Sequence, residues 1–159
     1  NVSLKYENGV QRIFLNDEDI TDSIRTEEVS RAASVVSQYL LVREKLVSLQ
    51  QDFAGRNNVI MDGRDIGTVV LPNATLKVYL TASVEERTRR RLKDYQEKGI
   101  EIDFESAKKE LEERDYRDTH RDNSPLKQAD DAILLDTTEL TLDEVEESII
   151  EMLNKKVGN

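Results

Sequence analysis

Val59-Ile60-Met61-Asp62-Gly63-Arg64-Asp65-Ile66-Gly67-Thr68 is the stretch that decides how the chain is read. Its three leading apolar residues have the length and type of a short buried strand, and a Gly-Arg-Asp turn closes them. Open α/β sheets bind their ligands just beyond the carboxyl ends of parallel strands, which is where this turn would stand. Glycine lets backbone turn sharply beside a ligand, and the Arg64 guanidinium can grip a phosphate through two parallel N–H bonds. A surface turn with a local Arg64–Asp65 pair explains the same residues equally well.

Downstream of this stretch, strand and helix patterns alternate. Leu76 to Leu80 and Ala132 to Leu135 read as further strands. Ser83-Val84-Glu85-Glu86 and Thr141-Leu142-Asp143-Glu144 have the form of capping boxes. The first opens a charged helix ending near Lys98-Gly99; the second opens a last helix with Leu142, Val145, Ile149 and Leu153 on its core face. Between them a helix is predicted from about Asp103 into the Arg117 region, ending before Ser124-Pro125. This alternation predicts an α/β sheet with parallel strands over residues 59–159. Upstream, residues 2–15 alternate on either side of Glu7-Asn8-Gly9, the signature of a hairpin, and Asn16-Asp17-Glu18-Asp19 reads as a further turn. Val35, Tyr39, Val42, Leu46, Leu49 and Phe53 then repeat at steps of four and three, a helical stripe read as packed on the protein's own sheet. A composition break at Gly55-Arg56-Asn57-Asn58 separates a β+α lobe, residues 1–58, from the α/β part.

The composition narrows the functional classes. Of 159 residues 35% are charged, with a net charge of −10, so the chain repels duplex nucleic acid. Cysteine is absent and His120 is the one histidine, which excludes disulfides, thiol catalysis and histidine-based triads or metal sites. His120 reads as an exposed, non-catalytic residue. No apolar run approaches the ~20 residues of a membrane span, and a soluble cytoplasmic protein is expected. Against this acidic background three arginine groups stand out: Arg64 in its turn; Arg87, Arg89, Arg90 and Arg91 with Lys93; and Arg114, Arg117 and Arg121 around Asp118. Positions 114, 118 and 121 share a helical face, with Arg117 at its margin. Guanidinium groups so placed repel one another unless an anion such as a polyphosphate sits among them. The plainer alternative is pairing within the helices, with Glu85, Glu86, Asp94 and Glu97 in one and Glu110, Glu113, Asp115 and Asp118 in the other. The glycines at 9, 55, 63, 67, 99 and 158 all lack a following lysine, so the chain holds no P-loop of the form G-x-x-x-x-G-K-[ST].

Residues 59–68, with Val70-Leu71-Pro72-Asn73-Ala74 after them, resemble the central signature of bacterial cytidylate kinase. So do Ala82-Ser83-Val84-Glu85-Glu86-Arg87, Glu113-Arg114-Asp115, Arg117-Asp118 with Arg121, Ser124-Pro125-Leu126, Ala129-Asp130-Asp131-Ala132 and Asp136-Thr137-Thr138. The resemblance runs in order over essentially the whole chain. It implies a parallel sheet with helices like that of P-loop nucleoside monophosphate kinases, lacking its N-terminal strands, plus a small antiparallel β+α insert that binds the monophosphate. It implies transfer of the γ-phosphoryl of ATP, with Mg²⁺, onto CMP or dCMP by a monomeric enzyme whose partners are these small molecules. Ser34, Arg43 and Asp65 match the residues that read cytosine. Arg64, Arg114 and Arg121 match those holding the monophosphate, and Asp118 the acid that approaches the sugar. Arg64, Arg114, Arg117 and Arg121 form the implied catalytic set. Arg87, Arg90 and Arg91, with Arg117, belong to an arginine-rich lid over ATP spanning about 87–122. A metal site made by protein residues is not implied.

These roles agree with the chemistry of the groups. Cytosine presents an N4 donor with N3 and O2 acceptors, so a carboxylate takes the N4 proton and a guanidinium donates to the ring. Uracil puts an acceptor opposite the same carboxylate, and sites built on buried polar pairing discriminate strongly. Phosphoryl transfer needs mainly alignment and neutralisation of spreading charge, which arginines supply. Ser34 and Arg43 are nine residues apart, about 2.5 turns, and would face opposite ways on one helix. If both touch one base, as the resemblance implies, the chain must break between them, and two helices broken at Ser37-Gln38 are predicted. A different class of function, a non-catalytic nucleotide-binding or protein-interaction fragment, would use the same arginines to meet an acidic partner.

In the family the P-loop and the first core helix precede the insert, whereas this chain starts inside it. The strand before the P-loop would lie between Val59–Met61 and Ala132–Leu135, and unpaired strand backbone is costly when buried. These 159 residues taken alone are therefore expected not to turn over ATP. A coupled ADP-release assay on mass-verified material checks this, and robust CMP-dependent turnover would place the phosphate cradle elsewhere.

Overall fold

The computed structural model describes residues 2–158. They form two compact units, Asn1–Leu46 and Val47–Asn159, divided within a helix ahead of the Gly55–Asn58 composition break.

In the first unit β1 (Val2–Glu7), β2 (Val10–Leu15) and β3 (Glu18–Asp19) make an antiparallel sheet in that order. The β1–β2 register runs from Val2↔Leu15 to Glu7↔Val10. Its two-residue turn uses Asn8 at φ 53° and Gly9 at φ 80°, the left-handed pair that matches the twist of a hairpin. Asn16 at φ 49° and Asp17 at φ 71° repeat the device before β3. Thr21, buried behind β3, accepts from the Ile13 amide at 2.9 Å and donates its hydroxyl to Asp19 Oδ1 at 2.6 Å.

Helix α1 (Glu27–Val36) starts where the Thr26 hydroxyl oxygen accepts from the Val29 amide, and α2 (Leu40–Ala54) follows after a break at residues 37–39. The break is held locally: the Ser37 hydroxyl and the Gln38 amide both donate to the Ser34 carbonyl. Ser34 and Arg43 thus stand on separate helices. The expected burial of the apolar stripe is not found. Val35, Tyr39, Val42, Leu46, Leu49 and Phe53 are all exposed. Helical spacing records which residues share a face, but burial requires a second apolar surface against that face.

In the second unit β4 (Val78–Thr81) pairs in parallel with β5 (Ile133–Asp136), from Val78↔Ile133 to Thr81↔Asp136. The connection carries α3 (Val84–Glu97) and α4 (Phe104–His120), which pack on each other. Small and amphipathic residues fill the contact: Thr88 (0% exposed), Tyr95 and Ala107 are buried. The Thr88 hydroxyl donates to the Val84 carbonyl at 2.7 Å, so no polar group is buried unpaired there. Only half of the Ser83 box forms. Ser83 Oγ accepts from the Glu86 amide, but the Glu86 carboxylate turns to Arg89 and Arg90, and the Ser83 amide donates instead to Thr138 Oγ1. Two guanidinium donors outcompete one backbone N–H for that carboxylate.

Two expectations of the sheet are corrected. Val59–Met61 is not a strand, and Ile60 is fully exposed, because a strand exists through ladder bonds and no described strand offers them to these residues. Helix α5 (Leu142–Val157) is placed as expected, but Leu142 is 82% exposed and Leu153 is also exposed, while Val145 and Ile149 are half-buried. Helical spacing marks the residues that share a face, but burial needs an opposing apolar surface as long as that face, and β4 and β5 are four residues each.

The start of α5 has the complete capping box. The Thr141 amide and hydroxyl both donate to Glu144 Oε2 at 2.8 Å, and Thr141 Oγ1 accepts from the Glu144 amide at 3.3 Å. The backbone bond first, then the hydroxyl, hold the Glu144 carboxyl below the ordinary glutamate range. A depressed folded pKa gives stability that is present above the unfolded value, about 4.3, and fades as pH falls through the folded one. Thr141→Ala is expected to lower stability by about 1 kcal/mol at pH 7 and to flatten the acid limb of the melting profile. Thermal melts of both proteins from pH 3 to 7 check this.

Candidate active site

The Gly-Arg-Asp turn leads into a single π-helical turn, Ile66–Val70, a form that often marks functional positions. The Asp65 carbonyl accepts from the Val69 amide at 2.9 Å and the Val70 amide at 3.3 Å, and the Ile66 carbonyl accepts from Leu71. Gln51 of α2 donates its side-chain amide to the Val69 and Val70 carbonyls at 3.3 and 3.1 Å. Val70, 2% exposed, anchors the turn in the core. The small residue at 63 serves close approach rather than a left-handed backbone. A Cβ there would stand 3.0 Å from Ile66 Cγ1, and its φ is not positive.

This turn meets the C-terminal half of α4. Arg64 Nε donates to Asp118 Oδ2 at 2.8 Å, and Arg114 Nε lies 3.9 Å from the same oxygen. Asp118 and Asp65 are buried, and Arg64 and Arg114 are half-exposed. Burial lowers the proton affinity of the Arg114 guanidinium most, and the positive charges of Arg64 and Arg91 lower it further against the opposing pull of Asp118 and Asp115. Burial is thus the larger cause, and the neighbouring guanidinium groups add to it.

Arg121 reaches the site by a different route from the one predicted. Helix α4 ends at His120, so Arg121 is the first residue off the helix, with φ −69° and ψ 143°. Its Nη2 nevertheless lies 3.9 Å from Asp65 Oδ1, while its Nε donates to the Ser124 carbonyl at 2.7 Å. The shared face of residues 114, 118 and 121 is thus true of 114 and 118 alone. A chain turn, not helical periodicity, brings the third residue in.

The remaining candidates are distributed. Arg87 donates to the Ala82 carbonyl and pairs with Asp115. Arg90 bonds Glu86 and both the hydroxyl and the carbonyl of Thr137. Arg91 lies over the Tyr95 ring at 4.5 Å and donates to its hydroxyl, which reaches Glu110. Arg117 is exposed and has no ion-pair partner among the described residues. Ser34 and the buried Arg43 belong to the first unit. His120 is exposed and stacked on Tyr116, as its charged surroundings predict. No group of three or more His, Cys, Asp or Glu residues able to hold a metal occurs among the described residues, and no helix there is long and apolar enough to cross a membrane. Sequence reasoning overlooked Gln51 and the π-helical turn. Neither leaves a pattern in composition or periodicity, because each acts through backbone carbonyls.

A family model described as cytidylate kinase matches residues 1–155. The chain is 51% identical over 158 residues to the cytidylate kinase of Lactobacillus johnsonii, covering 99% of this chain and 69% of that protein. It is 50% identical over 158 residues to the cytidylate kinase of Lactobacillus gasseri, at the same coverage, and 56% identical over 143 residues to that of Streptococcus pneumoniae, covering 90% of this chain and 64% of that protein. It therefore spans about two thirds of the length of these relatives. Half of all positions are shared along almost the whole chain, the paired arginines and aspartates described above fall inside the matched span, and the chain belongs to the cytidylate kinase family of nucleoside monophosphate kinases.

Proposed function

We propose that this chain carries the CMP-binding half of a (d)CMP kinase, with Arg64, Arg114 and Arg121 holding the monophosphate and Asp65 reading the base. The observation that carries the reading is the sharing of one buried carboxylate, Asp118, by Arg64 and Arg114. A phosphate supplies the missing negative charge and accepts the guanidinium bonds that Asp118 leaves unused. Asp118 orients Arg64 and stands ready to accept from a sugar hydroxyl. Asp65 has two oxygens and about four acceptor positions, the chemistry needed to take the proton of the cytosine N4 amino group. Ser34 and Arg43, both in the first unit, are read as further base-reading residues.

The parent reaction moves the γ-phosphoryl of ATP onto the CMP or dCMP phosphate. Mg²⁺, bound through nucleotide phosphates, would supply charge neutralisation there, as this ion usually keeps few protein ligands. Arg117, exposed and unpaired, is the lid residue most available to a triphosphate. Arg87, Arg90 and Arg91 would have to exchange their present partners to reach it, which a closing lid permits. The catalytic set is then Arg64, Arg114, Arg117 and Arg121, stabilising charge as it spreads over the transferring group. The 59–159 part is read as kinase core with its lid at about 87–122, the 1–58 part as the monophosphate-binding insert, and the protein as a cytoplasmic monomer when complete.

Calorimetry with CMP, UMP and AMP tests the reading. CMP-selective binding is expected; equal, salt-erased binding of all three would favour a general anion-binding fragment. Asp65→Asn replaces a pure acceptor with a group that also donates, so the CMP preference over UMP should narrow by about 1–3 kcal/mol. An unchanged CMP/UMP ratio in that variant would remove Asp65 from base recognition.

A further inference from the structure

Just beyond the end of α4, Arg121 is bonded to the backbone of Ser124. Because Arg121 lies beyond the end of α4, helix geometry does not orient it, and two other bonds do. The Leu126 amide donates to the Asp118 carbonyl at 2.7 Å, closing the chain back onto the last turn of α4. Within that closed segment Arg121 Nε donates to the Ser124 carbonyl, also at 2.7 Å. The guanidinium is thus held at both ends, Nε by Ser124 and Nη2 facing Asp65, with its side chain only 13% exposed.

Ser124, whose carbonyl takes that bond, has a left-handed backbone at φ 50°. Four non-glycine residues among those described have positive φ; the other three are Asn8, Asn16 and Asp17, types that tolerate this region, and all sit in hairpin turns. Ser124 is the exception in type and in place. Pro125 follows it and disfavours the right-handed helical region at position 124, so α4 cannot simply extend through it. A serine kept in an unfavourable conformation, with its carbonyl on a site arginine, is the kind of local strain that surrounding bonds must maintain.

We infer that Ser124 is a positioning residue: its left-handed backbone fixes the Arg121 guanidinium against Asp65, and so sets the geometry of the site in which Arg121 is read as a phosphate ligand. The consequence for nucleotide binding rests on the function proposed above; the consequence for Arg121 itself does not. Residue 124 need not touch the nucleotide. Its backbone conformation is what matters, so glycine should replace it and a β-branched residue should not.

Hydrogen exchange of the Arg121 Nε–H, followed by NMR in the nucleotide-free chain, tests the positioning directly. Slow exchange is expected in the parent and in Ser124→Gly, and exchange at least tenfold faster in Ser124→Val. Slow exchange retained in Ser124→Val, or lost in Ser124→Gly, overturns the inference. If Ser124→Val fails to fold, as judged by its melt, Ser124→Thr carries the same expectation with smaller amplitude. CMP titrations then separate this inference from the function it serves. Ser124→Val should weaken CMP about tenfold in the parent and no more than twofold in an Arg121→Ala background, because both changes remove the same aimed group. Equal weakening in both backgrounds overturns the inference. Failure of the parent to bind CMP, with Nε–H exchange still slow, counts against the nucleotide reading alone and supports the positioning of Arg121 by Ser124.

Discussion

The buried Asp118 carboxylate is the point on which the rest of the site depends. It takes the Arg64 Nε–H at 2.8 Å, draws Arg114 to 3.9 Å, and its own backbone carbonyl receives the Leu126 amide. One residue therefore ties the Gly-Arg-Asp turn to α4 and closes the chain segment that carries Arg121. A carboxylate out of water needs charged partners, and arginines that crowd together need a carboxylate, so each requirement meets the other. The match is incomplete by design of the charges present. Burial and like charge still weaken the hold of Arg114 on its proton. Arg64 and Arg114 remain half-exposed, so an anionic group can reach them.

The arginines of α3 stand in a different electrostatic situation. Arg87, Arg90 and Arg91 sit in an acidic chain, and each has found protein partners in Asp115, Glu86 with Thr137, and Tyr95. These contacts knit α3 to α4 and to the end of β5. Of these only the Arg90–Glu86 contact is an exposed ion pair, of the kind that contributes little stability and is easily exchanged. The lid proposed for α3 would have to exchange these contacts, whereas the buried Asp118 pairing suits the monophosphate site proposed for α4.

Much of the fold was legible because it depends on local chemistry. Asn8-Gly9 imposes its hairpin through positive φ, Thr141 and Glu144 write a complete cap, and Asp103 starts α4; the two-helix break follows from the nine-residue spacing of Ser34 and Arg43 only once the family resemblance puts both on one base. The failures are as physical as the successes. Val59–Met61 has the composition of a strand without a described partner, and the 35–53 stripe has helical spacing without a surface to cover it. Pattern reports what a segment is suited to bury; it does not supply the opposing surface.

The sequence by itself determined the family, the two strands β4 and β5, the long charged helices, and the identity of the arginines and aspartates that gather at the site, because these depend on residue type and near-neighbour spacing. The tertiary structure alone decided which carboxylate each arginine meets. Arg64 finds Asp118, which lies 54 positions along the chain, rather than its neighbour Asp65. Arg121 finds Asp65 through a turn held by the left-handed Ser124, not through the face of α4. Charge pairing is decided by distance and burial in space, and a linear pattern carries those only as far as one element extends.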